Sequence, residues 1–228
     1  MTDPLHGADE VPPPAVAPDG SPVLLYRRLP PGDEPGIISR AVPPSASILE
    51  LGAGAGRITH ALVRMGYRVT AVDESRDMLA WVHGADRIPA RIEGLALRQR
   101  FDAVLLASHL VNDPDDGRRQ RFLETCRRHV TDRGVVLLEH HPADWADTVA
   151  PGESRIGDIT IALTEVRREP PFVSAVSVYR LEDQAFRQPW TARVLSESDL
   201  AAALRSAGLE RIRSLTPTWT LAEPIPER

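Results

Sequence analysis

The stretch Glu50-Leu51-Gly52-Ala53-Gly54-Ala55-Gly56 sets an acid before three alternating glycines. Glycine tolerates positive φ and lets another molecule approach the backbone closely. Where such a turn opens a helix, its free N–H groups suit an anionic group such as a carboxylate. Asp73 ends the next apolar run, and an acid there can accept hydrogen bonds from the paired hydroxyls of a ribose. Two further apolar runs end in Ser108-His109-Leu110-Val111-Asn112-Asp113 and Glu139-His140-His141-Pro142. Imidazole titrates near neutral pH, so His109 and His141 are candidate bases. The competing reading is a histidine hydrogen-bonded to a loop carbonyl.

Other chemistry-bearing residues read more plainly. Asn112, Asp113, Asp115 and Asp116 group oxygen donors, but Asp113-Pro114-Asp115-Asp116 stands where acids complement a helix dipole. With histidines rather than an acid and an amide ending the fifth run, no metal is expected. Cys126, the single cysteine, excludes an intrachain disulfide and reads as a small buried hydrophobe. Arg118, Arg119, Arg121, Arg127 and Arg128 read as a solvated helix face. Trp145, Trp190 and Trp219 read as core packing.

The elements that must position these residues follow from periodicity. Short strands are expected at 48–51, 67–72, 90–92, 101–107 and 135–138. Helices are expected at 57–65, closed by Gly66, at 75–82 behind a Ser75 cap, and at 115–130. Strands alternating with helices imply a parallel sheet covered on both faces. The rhythm then changes: 159–166, 172–179 and 190–194 are β-like without intervening helices, which predicts an antiparallel insertion. Ser196-Glu197-Ser198-Asp199 predicts a capped helix to Ala207, and 211–215 and 219–222 predict closing strands.

The acid, the Gly-x-Gly-x-Gly turn and the strand-end Asp73 together resemble the class I, Rossmann-like S-adenosylmethionine-dependent methyltransferases of small-molecule type. The likeness runs from about Ile48 to Gly134 and more loosely to the C-terminus. It implies an α/β fold with a mostly parallel seven-stranded sheet, helices on both faces and a small antiparallel β insertion before the last helix. It implies S-adenosyl-L-methionine as cofactor and S-adenosyl-L-homocysteine as product. On this resemblance Gly52, Ala53, Gly54 and Gly56, with Glu50, surround the methionine part, Asp73 holds the ribose, Met78 lies beside the adenine, and Tyr26 is a lid residue. Glu74, Ile92 and Ser108 are further cofactor-contacting positions. The sequence departs from the family where an acid usually meets the adenine amine: Arg91 stands there, and Glu93 is the nearest substitute. The implied reaction is in-line methyl transfer to an N or O atom of a small molecule, by analogy a bacterial specialised metabolite. A nicotinamide dehydrogenase would need its third glycine where Arg57 stands. A methyltransferase fold retained as a non-catalytic partner subunit is the other alternative.

The chain has 228 residues, enough for one α/β domain with a small elaboration. Residues 1–22 are proline-rich and read as a disordered tail. Residues 23–228 read as one methyltransferase domain, with 150–194 as a β-rich insertion covering the acceptor site or forming a homodimer contact. The formal net charge of -5, with no lysine, argues against a nucleic-acid partner and excludes lysine Schiff-base chemistry. No apolar run is long enough to span a bilayer, and no signal peptide is recognisable, so a cytoplasmic protein with no membrane partner is expected.

Overall fold

The computed structural model describes residues 16–226. In chain order the strands are β1 (Ser47–Leu51), β2 (Arg68–Asp73), β3 (Asp86–Pro89), β4 (Phe101–Leu106), β5 (Val130–Glu139), β6 (Gly152–Ile156), β7 (Ile159–Glu169), β8 (Phe172–Leu181), β9 (Gln184–Arg193), β10 (Leu209–Thr216) and β11 (Trp219–Pro224). The helices are α1 (Val23–Tyr26), α2 (Glu34–Ala41), α3 (Arg57–Arg64), α4 (Arg76–Leu79), α5 (Asp116–His129), α6 (Trp145–Thr148) and α7 (Glu197–Ser206). Two 3-10 turns, Ile92–Gly94 and Leu110–Asn112, complete them.

Seven strands form one sheet in the order β10-β11-β5-β4-β1-β2-β3. β1 to β5 pair in parallel, and β11 runs antiparallel to both β5 and β10. Strand order reverses between β1 and β4, and in such sheets ligands bind beyond the carboxyl ends at that crevice. Strands buried on both faces read as continuous apolar runs. Accordingly Ile48, Leu49, Leu51 and the run Ala103–Leu106 have no solvent exposure. Leu49, Leu51, Val104 and Leu106 pack with Phe122 and Leu123 of α5 and Leu200 and Leu204 of α7. On the opposite face Ile48, Leu105 and Leu137 pack with Ile38 of α2, Leu62 of α3 and Trp219.

The Ser75 and Ser196 caps form as the sequence suggests: Ser75 Oγ accepts the Met78 N–H at 3.2 Å, and Ser196 and Asp199 cap α7 reciprocally. Asp115, read as the first helical residue, is instead the N-cap of α5 and accepts the Arg118 N–H at 2.8 Å. The four-stranded sheet β6-β7-β8-β9 is antiparallel throughout. It packs on α1 through Ile159, Tyr179, Leu181 and Phe186 around Leu25, and on α6 through Val173 and Val194 against Ala146 and Val149.

Several boundaries differ from the sequence reading, each for a local reason. The helix after Ser75 stops at Leu79 rather than Val82. The third strand lies at Asp86–Pro89, and Ile92 begins a 3-10 turn instead. As the edge strand it is largely exposed and carries no apolar period. β5 begins at Val130, with an irregularity in register opposite Phe101–Ala103. β9 begins at Gln184 and not at Trp190, because its outward residues are polar while Phe186 and Gln188 face inward. β6 is exposed at every position and had no apolar signal. Arg119 is buried rather than solvated, bonded to the Asp113 carbonyl and Asp116. Of the proline-rich segment, residues 1–15 lie outside the described residues. Val16 and Pro22 form a β-bridge, and Ala17 and Ser21 are buried. No helix among the described residues is long and apolar enough to cross a membrane.

Candidate active site

The turn after β1 is built on positive φ at Gly52 (+71°), Gly54 (+56°) and Gly56 (+89°). A Cβ on Gly52 would sit 2.6 Å from Leu110 Cδ1, whereas one on Gly54 would meet nothing within 4 Å. Packing therefore explains the first glycine, and the second opens its backbone onto free space. The Gly54 N–H donates to Asp73 Oδ2 and the Ser75 N–H to Asp73 Oδ1, both at 2.8 Å. A carboxylate oxygen can accept more than one hydrogen bond, so Asp73 braces the turn and keeps acceptor capacity for a ligand hydroxyl. Burial raises its pKa against the pull of those two N–H groups. The Ala53 N–H is tied to the Val72 carbonyl at 2.9 Å. Glu50 is 2% exposed and accepts a hydrogen bond from Thr59 Oγ1 at 2.6 Å. Burial pushes its carboxyl up to about 7, against the Thr59 bond and the Arg57 charge.

The rim of this turn gathers the other residues named from the sequence. Met78 is buried with Ala17, Val23 and Ala55, and Tyr26 packs on that group. The Tyr26 hydroxyl faces Gln188 Oε1 at 3.4 Å, which joins α1 to the four-stranded sheet. Ile92 is buried, its Cδ1 4.0 Å from the Cβ position of Gly52. Arg91, the residue at the family's adenine position, bridges Glu93 at 3.1 Å and Glu74 at 3.7 Å. Both acids on that side are thus charge-paired.

At the ends of β4 and β5 the chain brings His109 and His141 together. Ser108 and His109 both adopt left-handed backbone, φ 54° and 58°, an unfavourable region for two successive non-glycine residues. The Ser108 N–H donates to Glu139 Oε2 at 2.6 Å, which holds the turn. The His109 and His141 rings stack with centroids 4.0 Å apart, His141 stacks on Trp145 at 3.6 Å, and Trp145 on Trp190 at 5.9 Å. Trp145 and Trp190, half-buried, pack against Val149, Val173 and Val194 and also line this wall, while Trp219 is fully buried in the core. Asn112, 1% exposed, accepts the His141 N–H at 2.9 Å and donates to the Arg193 carbonyl at 2.8 Å. It ties the ends of β4, β5 and β9 together. Asp113 and Asp116 bond to arginines. Among the described residues no group of three or more His, Cys, Asp or Glu could hold a metal ion.

Burial lowers His109 to about 4 and His141 to about 3, assisted by the neighbouring histidines. Both rings are therefore neutral across pH 6–9. The unfolded chain takes up these protons near pH 6.5, the folded chain only near 3–4. The stabilisation from burying neutral rings is complete above pH 6.5 and lost as pH falls towards 4. His141→Gln is expected to flatten the decline of melting temperature between pH 6.5 and 4. Parallel curves for the two proteins would show that the ring is not held neutral.

Sequence reasoning did not single out two residues that the fold brings here, Glu139 and Glu34. Glu139 precedes the His140-His141 pair and was legible only as a strand end. Glu34 belongs to α2, far away in sequence, and forms a short ion pair with Arg57 at the start of α3. Nothing local in the sequence marks that pair.

A glycine turn after β1, an acid at the tip of β2 and a strand-order reversal beside them define the fold of the class I S-adenosylmethionine-dependent methyltransferases. Residues 48–134 match the family model described as "Methyltransferase domain". Over 80 residues it is 42% identical to Ribosomal RNA small subunit methyltransferase A of Anaeromyxobacter dehalogenans (strain 2CP-C), covering 31% of this chain and 28% of that protein. The chain thus spans less than a third of the curated relative it matches. An S-adenosylmethionine-dependent methyltransferase from Clostridium acetobutylicum ATCC 824 superposes with a TM-score of 0.73 at 15% identity, over 88% of this chain and 94% of that one. An amino pentose methyltransferase from Micromonospora echinaspora, involved in calicheamicin biosynthesis and solved with S-adenosylmethionine bound, gives 0.67 at 21% identity over 83% and 88%. At these identities the likeness to both structures is one of fold.

Proposed function

We propose that this protein transfers a methyl group from S-adenosylmethionine to a nitrogen or oxygen of a small molecule. One observation carries the reading: the Gly54 backbone opens onto free space while its N–H is braced by Asp73. That arrangement suits a ligand that lies close against the backbone and presents ribose hydroxyls to Asp73. Glu50, Gly52, Ala53, Gly54 and Gly56 hold the methionine part. Asp73 holds the ribose. Tyr26, Glu74, Met78, Ile92, Glu93 and Ser108 complete the surround.

Bound cofactor supplies an electrophilic methyl on a positive sulfur. The chain's own work is alignment, which in favourable cases is worth roughly 7–11 kcal/mol. The stacked His109 and His141 rings, with Trp145, form a neutral wall at the ends of β4 and β5, where the acceptor sits. In this reading the four-stranded sheet covers that side and keeps water out. The negative net charge and a fold shared along most of its length with an amino pentose methyltransferase support a small-molecule acceptor over RNA. The match to the ribosomal RNA methyltransferase covers only 31% of this chain.

Titration calorimetry tests the cofactor. S-adenosylmethionine and S-adenosylhomocysteine are expected to bind with micromolar-range dissociation constants, about −8 kcal/mol, and NAD far more weakly. Binding of NAD with no binding of either S-adenosyl ligand would overturn the reading in favour of an oxidoreductase.

A further inference from the structure

Four acidic side chains and one guanidinium are spread along the carboxyl ends of β1, β2 and β5. Glu50, Glu34 and Glu139 are 2%, 7% and 9% exposed, and Asp73 is half-buried beside Glu50. Arg57 and Glu34 act electrostatically on Glu50, Glu139 and His109 alike. Arg57 is the cation among them, and it is engaged by Glu34 Oε1. Buried charges need partners, and these acids outnumber theirs.

Two oxygens show where the shortfall falls. Glu34 has a side chain only 9% exposed, and its Oε2 is buried without a hydrogen-bond partner among the described residues. Glu139 uses Oε2 for the Ser108 N–H. Its Oε1 faces His109 Nε2 at 3.9 Å, beyond hydrogen-bond reach, and that ring is neutral. Glu139 is not loosely placed, since its bond to Ser108 braces the two left-handed residues. Neighbouring strands lie about 4.8 Å apart, so β5 runs roughly 10 Å from β1. Glu139 therefore stands beyond β4 from the glycine turn, on the side where an acceptor would sit.

We propose that Glu139 is the cation-binding residue at the methyl-transfer position, with the buried charge of Glu34 reinforcing it from behind, and that the acceptor is an amine taken up as its ammonium ion. The proposal rests on the methyltransferase reading above. An ammonium N–H donates to Glu139 Oε1, and the stacked rings of His109, His141 and Trp145 pack against the carbon skeleton. Passage of that proton to Oε1 leaves a carboxylic acid and a neutral amine, whose lone pair forms the new N–C bond as the methyl–sulfur bond breaks and its electron pair stays on sulfur. Burial raises the Glu139 pKa, which favours the protonated carboxyl in that exchange. A hydroxyl acceptor would need a far stronger base than a carboxylate or these two depressed imidazoles.

Sinefungin is the probe, because it carries an amine where the sulfonium methyl stands. S-adenosylhomocysteine is the control, with an uncharged thioether there. Calorimetry would compare both ligands on the wild-type chain, Glu139→Gln and Glu34→Gln. Glutamine keeps an oxygen for the Ser108 N–H, and circular dichroism would verify the fold. Glu139→Gln is expected to weaken sinefungin at least tenfold and S-adenosylhomocysteine less than twofold, with a smaller selective loss in Glu34→Gln. If both variants lose the two ligands equally, or neither loses sinefungin, the cation site is wrong while the methyltransferase reading stands. Failure of S-adenosylhomocysteine to bind the wild-type chain would sink both. Should Glu139→Gln not fold, Glu34→Gln alone decides by the same selectivity.

Discussion

Asp73→Ala is expected to weaken S-adenosylhomocysteine binding at least tenfold. A hydrogen bond to a charged group contributes about 1.5–3 kcal/mol, and about 1.4 kcal/mol is a factor of ten. Loss of one ribose hydroxyl contact already reaches that threshold. The fold adds a second route to the same outcome. Asp73 accepts the N–H groups of Gly54 and Ser75, so its removal also releases the turn that faces the ligand. Asp73→Asn retains one acceptor oxygen and a similar size, and should fall between the wild type and Ala. Calorimetry with the folded variants checks this. An unchanged dissociation constant in Asp73→Ala would show that the ribose lies elsewhere.

Asn112→Leu is expected to cost about 2–5 kcal/mol of stability. Asn112 satisfies two backbone groups, the His141 N–H and the Arg193 carbonyl, from a position 1% exposed. Leucine satisfies neither, and each group left buried and unpaired costs about 1–3 kcal/mol. For a chain of this size each kcal/mol shifts the melting temperature by about 2–4 °C, so a drop of roughly 5–15 °C should appear in a thermal melt. The same residue fastens the last strand of the small sheet to the ends of β4 and β5. The variant should therefore loosen the His109–His141 stack as well as lower the melting point. A melting temperature within a degree or two of the wild type would show that these contacts do not hold the small sheet in place.

Much of the fold was legible because the parallel sheet writes itself locally. Ile48–Leu51, but for Glu50, and Ala103–Leu106 are apolar runs, as strands covered on both faces must be. Ser75 and Ser196 announce helices through caps that form as expected. Edges were harder. β3, β6 and the first half of β9 carry polar or charged residues on exposed positions, so periodicity has nothing to report there. The helix face rich in arginine misled for a related reason: composition does not say which of five arginines turns inward, and Arg119 does.

The site divides along the same line. The glycine turn and Asp73 could be read as a ligand cradle because backbone conformation depends on residues that are neighbours in sequence. His109 and His141 could be placed at strand ends, but not stacked. Their contact requires the single β4–α5–β5 crossover to bring separate loops together, and the burial that holds both rings neutral exists only once Trp145 and the small sheet have packed beside them. Glu139 and Glu34 lie further still from sequence reasoning. Each is an ordinary acid until β5 and α2 are assembled around Arg57. Local steric and capping preferences thus determined the cradle in the sequence itself. The charge balance opposite it was decided by the tertiary structure, because electrostatic interaction depends on distance in space and on the exclusion of water.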